Sequence, residues 1–498
     1  MIRRLALAVA LLVPAASSAQ TPQEFAARRL LLETRLPPDG VLVVLGAHEP
    51  AQDYLSFYQA ASFYYLTGFR EPDAALVMVK KGGQIISSTM FVRPRMPSRE
   101  VWTGTRAGIE GIQEATGMKG RPASQLWPAL DSLGKTGLPF NFVGEIGVRD
   151  DDADESQASG SKSFDEQLLE RVRRHYPALK LTVVNDQVEQ LRGTKSAPEL
   201  ALIRQAVDIT VLAHREAMIA VKELRNEFEL QALIEYTFRR NGADRPSFST
   251  IVGSGPNSTT LHYNVDDRWF DINDMIVMDI GASYKGYAAD LTRTVPASGH
   301  FSTSQREIYT LVRAAQSAAE RQIRLGAPAR MMTDSADAVL ASGLARLKLI
   351  ESPNATYDCS TGATPRQCPQ FRLFYMHGIG HGIGLEVHDP DQYTYTAMIQ
   401  PGSVFTIEPG IYVREHVLEE MPNTPRNREI AAKLRPSVNF YRNIGVRIED
   451  NYAITDRGMV WLSQGLPREI ADIEALMKMP FTGPARRNSE IVERYRQP

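Results

Sequence analysis

The sequence predicts two unlike units in one chain: a smaller α/β domain over residues 20–190 and a larger α+β domain over 191–470. A carboxy-terminal tail, 471–498, follows. Three observations lead there. Up to about residue 185, short apolar runs alternate with segments of helical spacing. Beyond it come four long segments whose apolar residues recur at helical intervals. Between and after those helices, β-prone runs stand in pairs joined by Gly-containing turns, the mark of helices packed on a mostly antiparallel sheet.

The elements follow in order. Arg3 and Arg4 precede the apolar run Leu5 to Val13, and Ser17-Ser18-Ala19 reads as a small-residue cleavage site. Residues 1–19 are therefore expected to be an export signal, with a mature chain starting near Gln20 in the periplasm or outside the cell. The apolar run is far short of the roughly 20 residues a membrane span needs. Val41 to Leu45 and Ala75 to Val79 are apolar strands, the second ended by the turn Lys80-Lys81-Gly82-Gly83. Met118 to Gly137 mixes helical spacing with breakers. Asp150 to Lys162 is acidic and then rich in Ser, Gly and Gln, an exposed excursion. Phe164 to His175 has helical spacing, and Leu181 to Val184 is the last strand of the unit.

Pro198-Glu199 opens the first helix of the second unit, carried by Leu200, Ile203, Ala206, Val207, Thr210 and Val211. Glu227 to Arg239, Thr303 to Leu325 and Met332 to Leu347 are the next three. Ser352 to Gln370 carries Cys359 and Cys368 in an insertion loop. An exported chain meets an oxidising compartment, so a local disulfide is expected; the alternative is two free thiols on a surface loop.

Composition bounds the function. The chain has 498 residues, 43% hydrophobic and 23% charged, with a formal net charge of −2. That is ordinary globular composition, and the charge gives no reason to expect nucleic acid or an anionic membrane as partner.

Five residues read as metal ligands: Asp279, Asp290, His381, Glu408 and Glu449. The aspartates lie on the two arms of a predicted hairpin around Ser283-Tyr284-Lys285-Gly286. Carboxylates held side by side repel each other unless a cation sits between them. Four carboxylates with one imidazole form an oxygen-rich set, which suits hard divalent ions such as Mn²⁺ better than thiolate-seeking ions. His377 to His388 holds three histidines in twelve positions with four interleaved glycines, unlike a helix interior. Such a run fits backbone packed close to a ligand. Alternation along a strand puts Arg447 and Glu449 on one face, and Glu408 stands just before a Pro-Gly turn.

Leu261-His262-Tyr263, the Asp279/Asp290 pair, the His-rich run, Ile407-Glu408-Pro409-Gly410 and Arg447-Ile448-Glu449 together resemble the pita-bread metallopeptidases, in the branch of aminopeptidase P and prolidase. Upstream, Phe63 to Phe69 and Glu71 to Val77 resemble the aminopeptidase P amino-terminal domain, and Arg192 to Ser196 resembles the family's domain junction. The resemblance implies a pita-bread catalytic domain that holds two divalent metals. Asp279 would bind one, Asp290 and Glu449 would bridge both, and His381 and Glu408 would complete the second. His262, His377 and His388 would line the pocket, Arg447 would orient carboxylates, and Tyr412 matches a nearby position. The implied reaction is hydrolysis of the bond between an amino-terminal residue and a following proline, by a hydroxide shared between the metals. Glu408 would move the proton, and His262 or His388 would donate to the oxyanion. A homo-oligomer is also implied. Prolidase, limited to Xaa-Pro dipeptides, is the alternative within the class; a metal-free pita-bread protein is the alternative outside it.

Overall fold

The computed structural model describes residues 20–52, 54–146, 162–360 and 366–484. The segment expected to be an export signal, most of the predicted acidic excursion and the end of the tail lie outside the described residues.

The first unit is built on a six-stranded mixed sheet. Its order is Lys119–Pro122, Gln84–Val92, Ala75–Lys81, Gly40–Leu45, Phe140–Val143 and Leu181–Val183. Gly40–Leu45 runs antiparallel to Ala75–Lys81 and parallel to Phe140–Val143, so it is central and buried along its whole length. This is why Val41 to Leu45 reads as an unbroken apolar run. Alternation then divides the strand between two cores. Leu42 and Val44 pack with Phe63, Leu66, Val188 and Leu191, while Val41 and Val43 pack with Phe140, Phe142, Leu169 and Val172. The predicted helix Phe164–His175 is present, and a capping box of Ser163 and Glu166 fixes its start.

The second unit packs four predicted helices against short antiparallel strands. They run Ala197–Ala220, Glu227–Arg240, Thr303–Glu320 and Arg330–Arg346. Capping boxes start the first at Ser196/Glu199 and the third at Ser302/Gln305. The third stops short of the predicted Leu325. Met275–Ile280 pairs with Leu291–Pro296 on one side and Ile251–Ser254 on the other. Val404–Ile407 pairs with Asp450–Thr455, and Gly410–Val413 with Ile444–Arg447. One continuous apolar core joins these strands to the helices. Among the described residues, no helix is long and apolar enough to cross a membrane.

Three details differ from expectation. The Asp279/Asp290 hairpin is not one ladder: it breaks at Gly281 and ends in a smaller ladder, Ala282–Tyr284 with Tyr287–Ala288. A Cβ at Gly281 would stand 1.9 Å from the Ala289 carbonyl oxygen, so only glycine allows that crossing. The predicted cysteine loop is an antiparallel hairpin, Thr356–Ser360 with Arg366–Pro369, and it carries the expected Cys359–Cys368 disulfide. Helix Pro425–Tyr441 had no predicted counterpart. Its buried stripe is narrow (Ile430, Leu434, Val438 and Tyr441), and Pro436 inside it reads as a breaker.

Candidate metal centre

The five predicted ligand residues converge in one cavity of about 580 Å³, which His262, His377, His388 and Arg447 also line. Strand register explains the aspartates. Asp279 stands opposite Thr292, and Asp290 is two residues before Thr292, so Asp290 is the diagonal neighbour of Asp279 on the same face. Asn451 clamps Asp290: its side-chain oxygen accepts from the Asp290 N–H at 3.2 Å, and its amide donates to the Asp290 carbonyl at 2.6 Å. The Glu449 N–H donates to the Thr292 carbonyl at 3.0 Å, and the Thr292 hydroxyl donates to Glu449 Oε2 at 2.7 Å. Glu408 leaves Val404–Ile407 with its N–H on the Ile379 carbonyl at 2.8 Å.

Glycine brings the His-rich run against this strand. A Cβ at Gly380 would meet the Thr406 carbonyl oxygen at 2.2 Å. The Thr406 hydroxyl accepts from the His381 N–H at 3.1 Å and donates to Glu408 Oε1 at 3.3 Å. His381 Nδ1 is 3.0 Å from the Gly382 carbonyl, which places its proton there. Nε2 faces the acids, 3.5 Å from Asp290 Oδ2 and 3.3 Å from Glu408 Oε1, and is the ring atom available to a cation.

The donor set fits a cation. Ligand atoms of Asp290, His381 and Glu449 all lie within 4.8 Å of one another. Asp279 Oδ1, Asp290 Oδ1 and Glu449 Oε1 are buried and have no hydrogen-bond partner among the described residues. Three orphaned carboxylate oxygens are costly unless a cation meets them. The titration behaviour agrees. Burial, then the charges of Asp279 and Glu408, hold the Asp290 carboxyl well above the usual range. Burial, then Asp290 and Glu408, do the same to Glu449. Glu408 is raised by burial, against the pull of His381 and Arg447.

A polar chain backs the cluster. The Arg447 guanidinium pairs with Asp279 Oδ2 and donates to the Thr292 hydroxyl at 3.1 Å and to the Tyr412 hydroxyl at 2.8 Å. Tyr412 in turn donates to His377 Nε2 at 2.8 Å, since His377 Nδ1 gives its proton to the Gly378 carbonyl. Burial, then Arg447, push His377 down to about 3, so it is neutral. Both its ring nitrogens are engaged within the protein, which makes it a support for Tyr412. His388 is half-exposed, its ring centroid 4.2 Å from that of His381 and its Nδ1 2.8 Å from Asp391. Burial, then His381, push it down to about 4. With its proton on Asp391, neutral His388 presents Nε2 as an acceptor. The expectation that either His262 or His388 donates to an oxyanion narrows to His262, which stands exposed at the mouth.

Sequence reasoning missed Thr292, Thr406 and Asn451. Each lies two residues from a predicted ligand, and same-face alternation would have found them. Asp389 and Arg192, far apart in sequence, gave no such signal.

Buried carboxylates around the His381 imidazole, on a helix-backed antiparallel sheet, define a metal-dependent hydrolase. Residues 201–456 match Metallopeptidase family M24, and residues 25–137 match the aminopeptidase P N-terminal domain. The chain belongs to metallopeptidase family M24. It is 32% identical to the Xaa-Pro aminopeptidase of Escherichia coli (strain K12), over 91% of this chain and 97% of that one. It is 30% identical to the Xaa-Pro dipeptidase of Homo sapiens, over 89% and 91%. Among solved structures, Zn-substituted E. coli aminopeptidase P in complex with product superposes with a TM-score of 0.73 at 29% identity, covering 92% of this chain and 98% of that one. An aminopeptidase P from Bacillus anthracis reaches 0.76 at 26% identity, covering 92% and 99%.

Proposed function

We propose that the chain is an exported Xaa-Pro aminopeptidase, removing the amino-terminal residue of peptides with proline in second position. The convergence of Asp279, Asp290, His381, Glu408 and Glu449 in one cavity carries this reading. The names of its relatives supply the substrate class. Export is supported by the signal-like residues 1–19 and by the Cys359–Cys368 disulfide. Assembly as a homo-oligomer belongs to the same proposal.

These five side chains would hold two divalent cations. The mixture of four carboxylates and one imidazole suits Mn²⁺. When bound, such a pair acidifies water and polarises a carbonyl. The protein's own groups do the rest. Arg447 fixes one oxygen of Asp279, and Thr292 fixes one of Glu449, so their remaining oxygens point at the metal site. Glu408 takes a proton from the attacking water and delivers it to the proline nitrogen as the peptide bond breaks. His262 donates to the oxyanion, which is worth a few kcal/mol for one such donor (roughly 10²–10³ in turnover). His388 Nε2 accepts from the substrate.

The test is product analysis with added Mn²⁺, on Xaa-Pro dipeptides and on longer peptides beginning Xaa-Pro. Release of the first residue from the longer peptides is expected. Cleavage of dipeptides alone would establish the dipeptidase reading that the 30% identity to the human Xaa-Pro dipeptidase keeps open. No cleavage of either by the metal-loaded protein would overturn both.

A further inference from the structure

The run that carries His381 and His388 is not held by the catalytic unit alone. Between the two histidines it folds back on itself. Asp389 N–H donates to the Gly382 carbonyl at 2.7 Å, and Gly382 N–H donates to the Pro390 carbonyl at 2.9 Å. The Asp389 carboxylate sits inside this loop, 1% exposed, and accepts from the Leu385 N–H at 2.9 Å. Its room is tight: a Cβ at Gly384 would stand 2.4 Å from Asp389 Oδ2 and 2.8 Å from Lys195 Cε. Two cations from the segment joining the two units hold Asp389, one at its carboxylate and one at its backbone carbonyl. Arg192, the last residue of helix Asn185–Arg192 and 3% exposed, approaches Asp389 at 3.1 Å through Nε. Its other two nitrogens go to Ser62 in helix Ala61–Thr67, at 3.0 Å, and to Glu386. Lys195 Nζ donates to the Asp389 carbonyl at 2.5 Å. At the tip, Leu385 packs against the cores of both units.

We infer that Arg192 is a positioning residue for the metal centre. From the segment joining the two units it clamps Asp389, and through Asp389 it sets the placement of His381 and His388 at the two ends of the loop. A fully buried ion pair is a poor way to gain stability, because desolvation offsets most of its attraction. What the pair supplies is a fixed geometry, since the planar guanidinium holds Asp389, Glu386 and Ser62 at once. The amino-terminal unit contributes to this geometry through Ser62, which holds one nitrogen of Arg192. The inference rests on His381 as a metal ligand and His388 as a pocket residue.

The test compares the full-length protein with Arg192→Met and Arg192→Lys in three measurements: calorimetric titration of the metal-free protein with Mn²⁺, kcat and KM on a longer Xaa-Pro peptide, and thermal unfolding. Arg192→Met, assayed where it is folded, should lose ~10–100-fold in Mn²⁺ affinity, the range for groups that orient metal ligands. Its kcat should fall by a similar factor with KM nearly unchanged. Arg192→Lys, which keeps the charge but not the fork, should recover part of both. A lower Tm with wild-type Mn²⁺ affinity and kcat would make Arg192 merely structural and overturn the inference. If Arg192→Met does not fold, Glu386→Gln tests the same clasp from its exposed arm. A few-fold loss of Mn²⁺ affinity is expected there, and an unchanged affinity overturns the inference. Should the wild type cleave no Xaa-Pro peptide, the substrate reading falls while the Mn²⁺ titration still decides the clasp.

Discussion

The guanidinium of Arg447 takes one carboxylate oxygen of Asp279 and leaves the other buried, unpartnered and in the wall of the cavity. The same guanidinium reaches Glu449 through the Thr292 hydroxyl. One cation thus orients two acids, Asp279 on strand Met275–Ile280 and Glu449 in the break between Ile444–Arg447 and Asp450–Thr455, and it does so with a planar fork that lysine cannot imitate. Arg447→Lys should lower Mn²⁺ affinity and turnover together, by ~10–100-fold. Metal titration and kcat on one preparation check this. Wild-type values for both would show that the acids orient themselves.

Ligands and pocket residues should separate by metal content. Glu449→Gln should lose metal as well as turnover, because an amide cannot offer two anionic oxygens. His262→Ala should keep its metal and lose ~10²–10³ in turnover, as for one lost transition-state donor. Elemental analysis beside steady-state kinetics distinguishes the two patterns. Metal loss in His262→Ala, with retention in His381→Ala, would reverse the assignment.

The parts of this site legible in sequence are those whose chemistry shows within a few residues. Asp279 and Asp290 stand on β-prone runs flanking a turn, and the glycines around His381 announce a close backbone approach. Thr292 and Asn451 were missed although the same alternation places them. They are ordinary strand residues until register shows what lies opposite. The clasp of Arg192 on Asp389 was out of reach for a deeper reason: it joins residues almost two hundred positions apart, and no local pattern encodes that pairing. Glu386, an exposed charge in the His-rich run, is part of it. Helix Pro425–Tyr441 was hidden by its own composition, a narrow apolar stripe with a proline inside.

Metal binding should release protons. Burial and mutual repulsion hold Asp290 and Glu449 well above the ordinary carboxyl range, so the metal-free site carries protons that a cation displaces. The sign follows from raised folded pKa values. The metal-free cluster favours folding below the unfolded carboxyl pKa, near 4, and that contribution is lost as pH rises through the folded values. Mn²⁺ affinity should therefore rise with pH. Calorimetry at one pH in two buffers of different ionisation enthalpy counts the protons. A heat independent of buffer would contradict the protonated cluster.

His214 should make the fold acid-sensitive. It is fully buried, its Nε2 lies 2.9 Å from the Leu291 carbonyl, and burial pushes it down to about 3. In the unfolded chain it takes a proton near 6.5. Between those values the unfolded state binds the extra proton, so stability falls as pH drops, by up to about 1.4 kcal/mol per unit for one group. His214→Gln can keep a donor for Leu291 and does not titrate. Its unfolding free energy should fall less steeply from pH 6 to pH 4 than that of the wild type, by about one proton. Equal slopes would show that His214 protonates without unfolding the chain.

The Cys359–Cys368 disulfide should matter for stability and not for chemistry. It closes a sequence separation of nine residues, with the Cα atoms 5.7 Å apart. A loop of that size contributes roughly 2–3 kcal/mol by chain entropy. Here the hairpin is already tied down without it. Asp358 accepts from the Thr424 hydroxyl at 2.6 Å, and its backbone exchanges hydrogen bonds with the Asn427 side chain at 3.0 and 2.9 Å. Those contacts anchor it to the start of helix Pro425–Tyr441, so the hairpin stays ordered in the reduced folded protein and the bond acts on the unfolded chain. The double Cys359→Ser, Cys368→Ser variant should therefore unfold a few degrees lower, with a loss close to the chain-entropy figure, and keep its Mn²⁺ affinity and kcat within about twofold. Thermal scans with and without reductant, on wild type and variant, isolate the contribution of the bond. Abolished activity in a folded variant would instead assign the hairpin a part in shaping the substrate cavity.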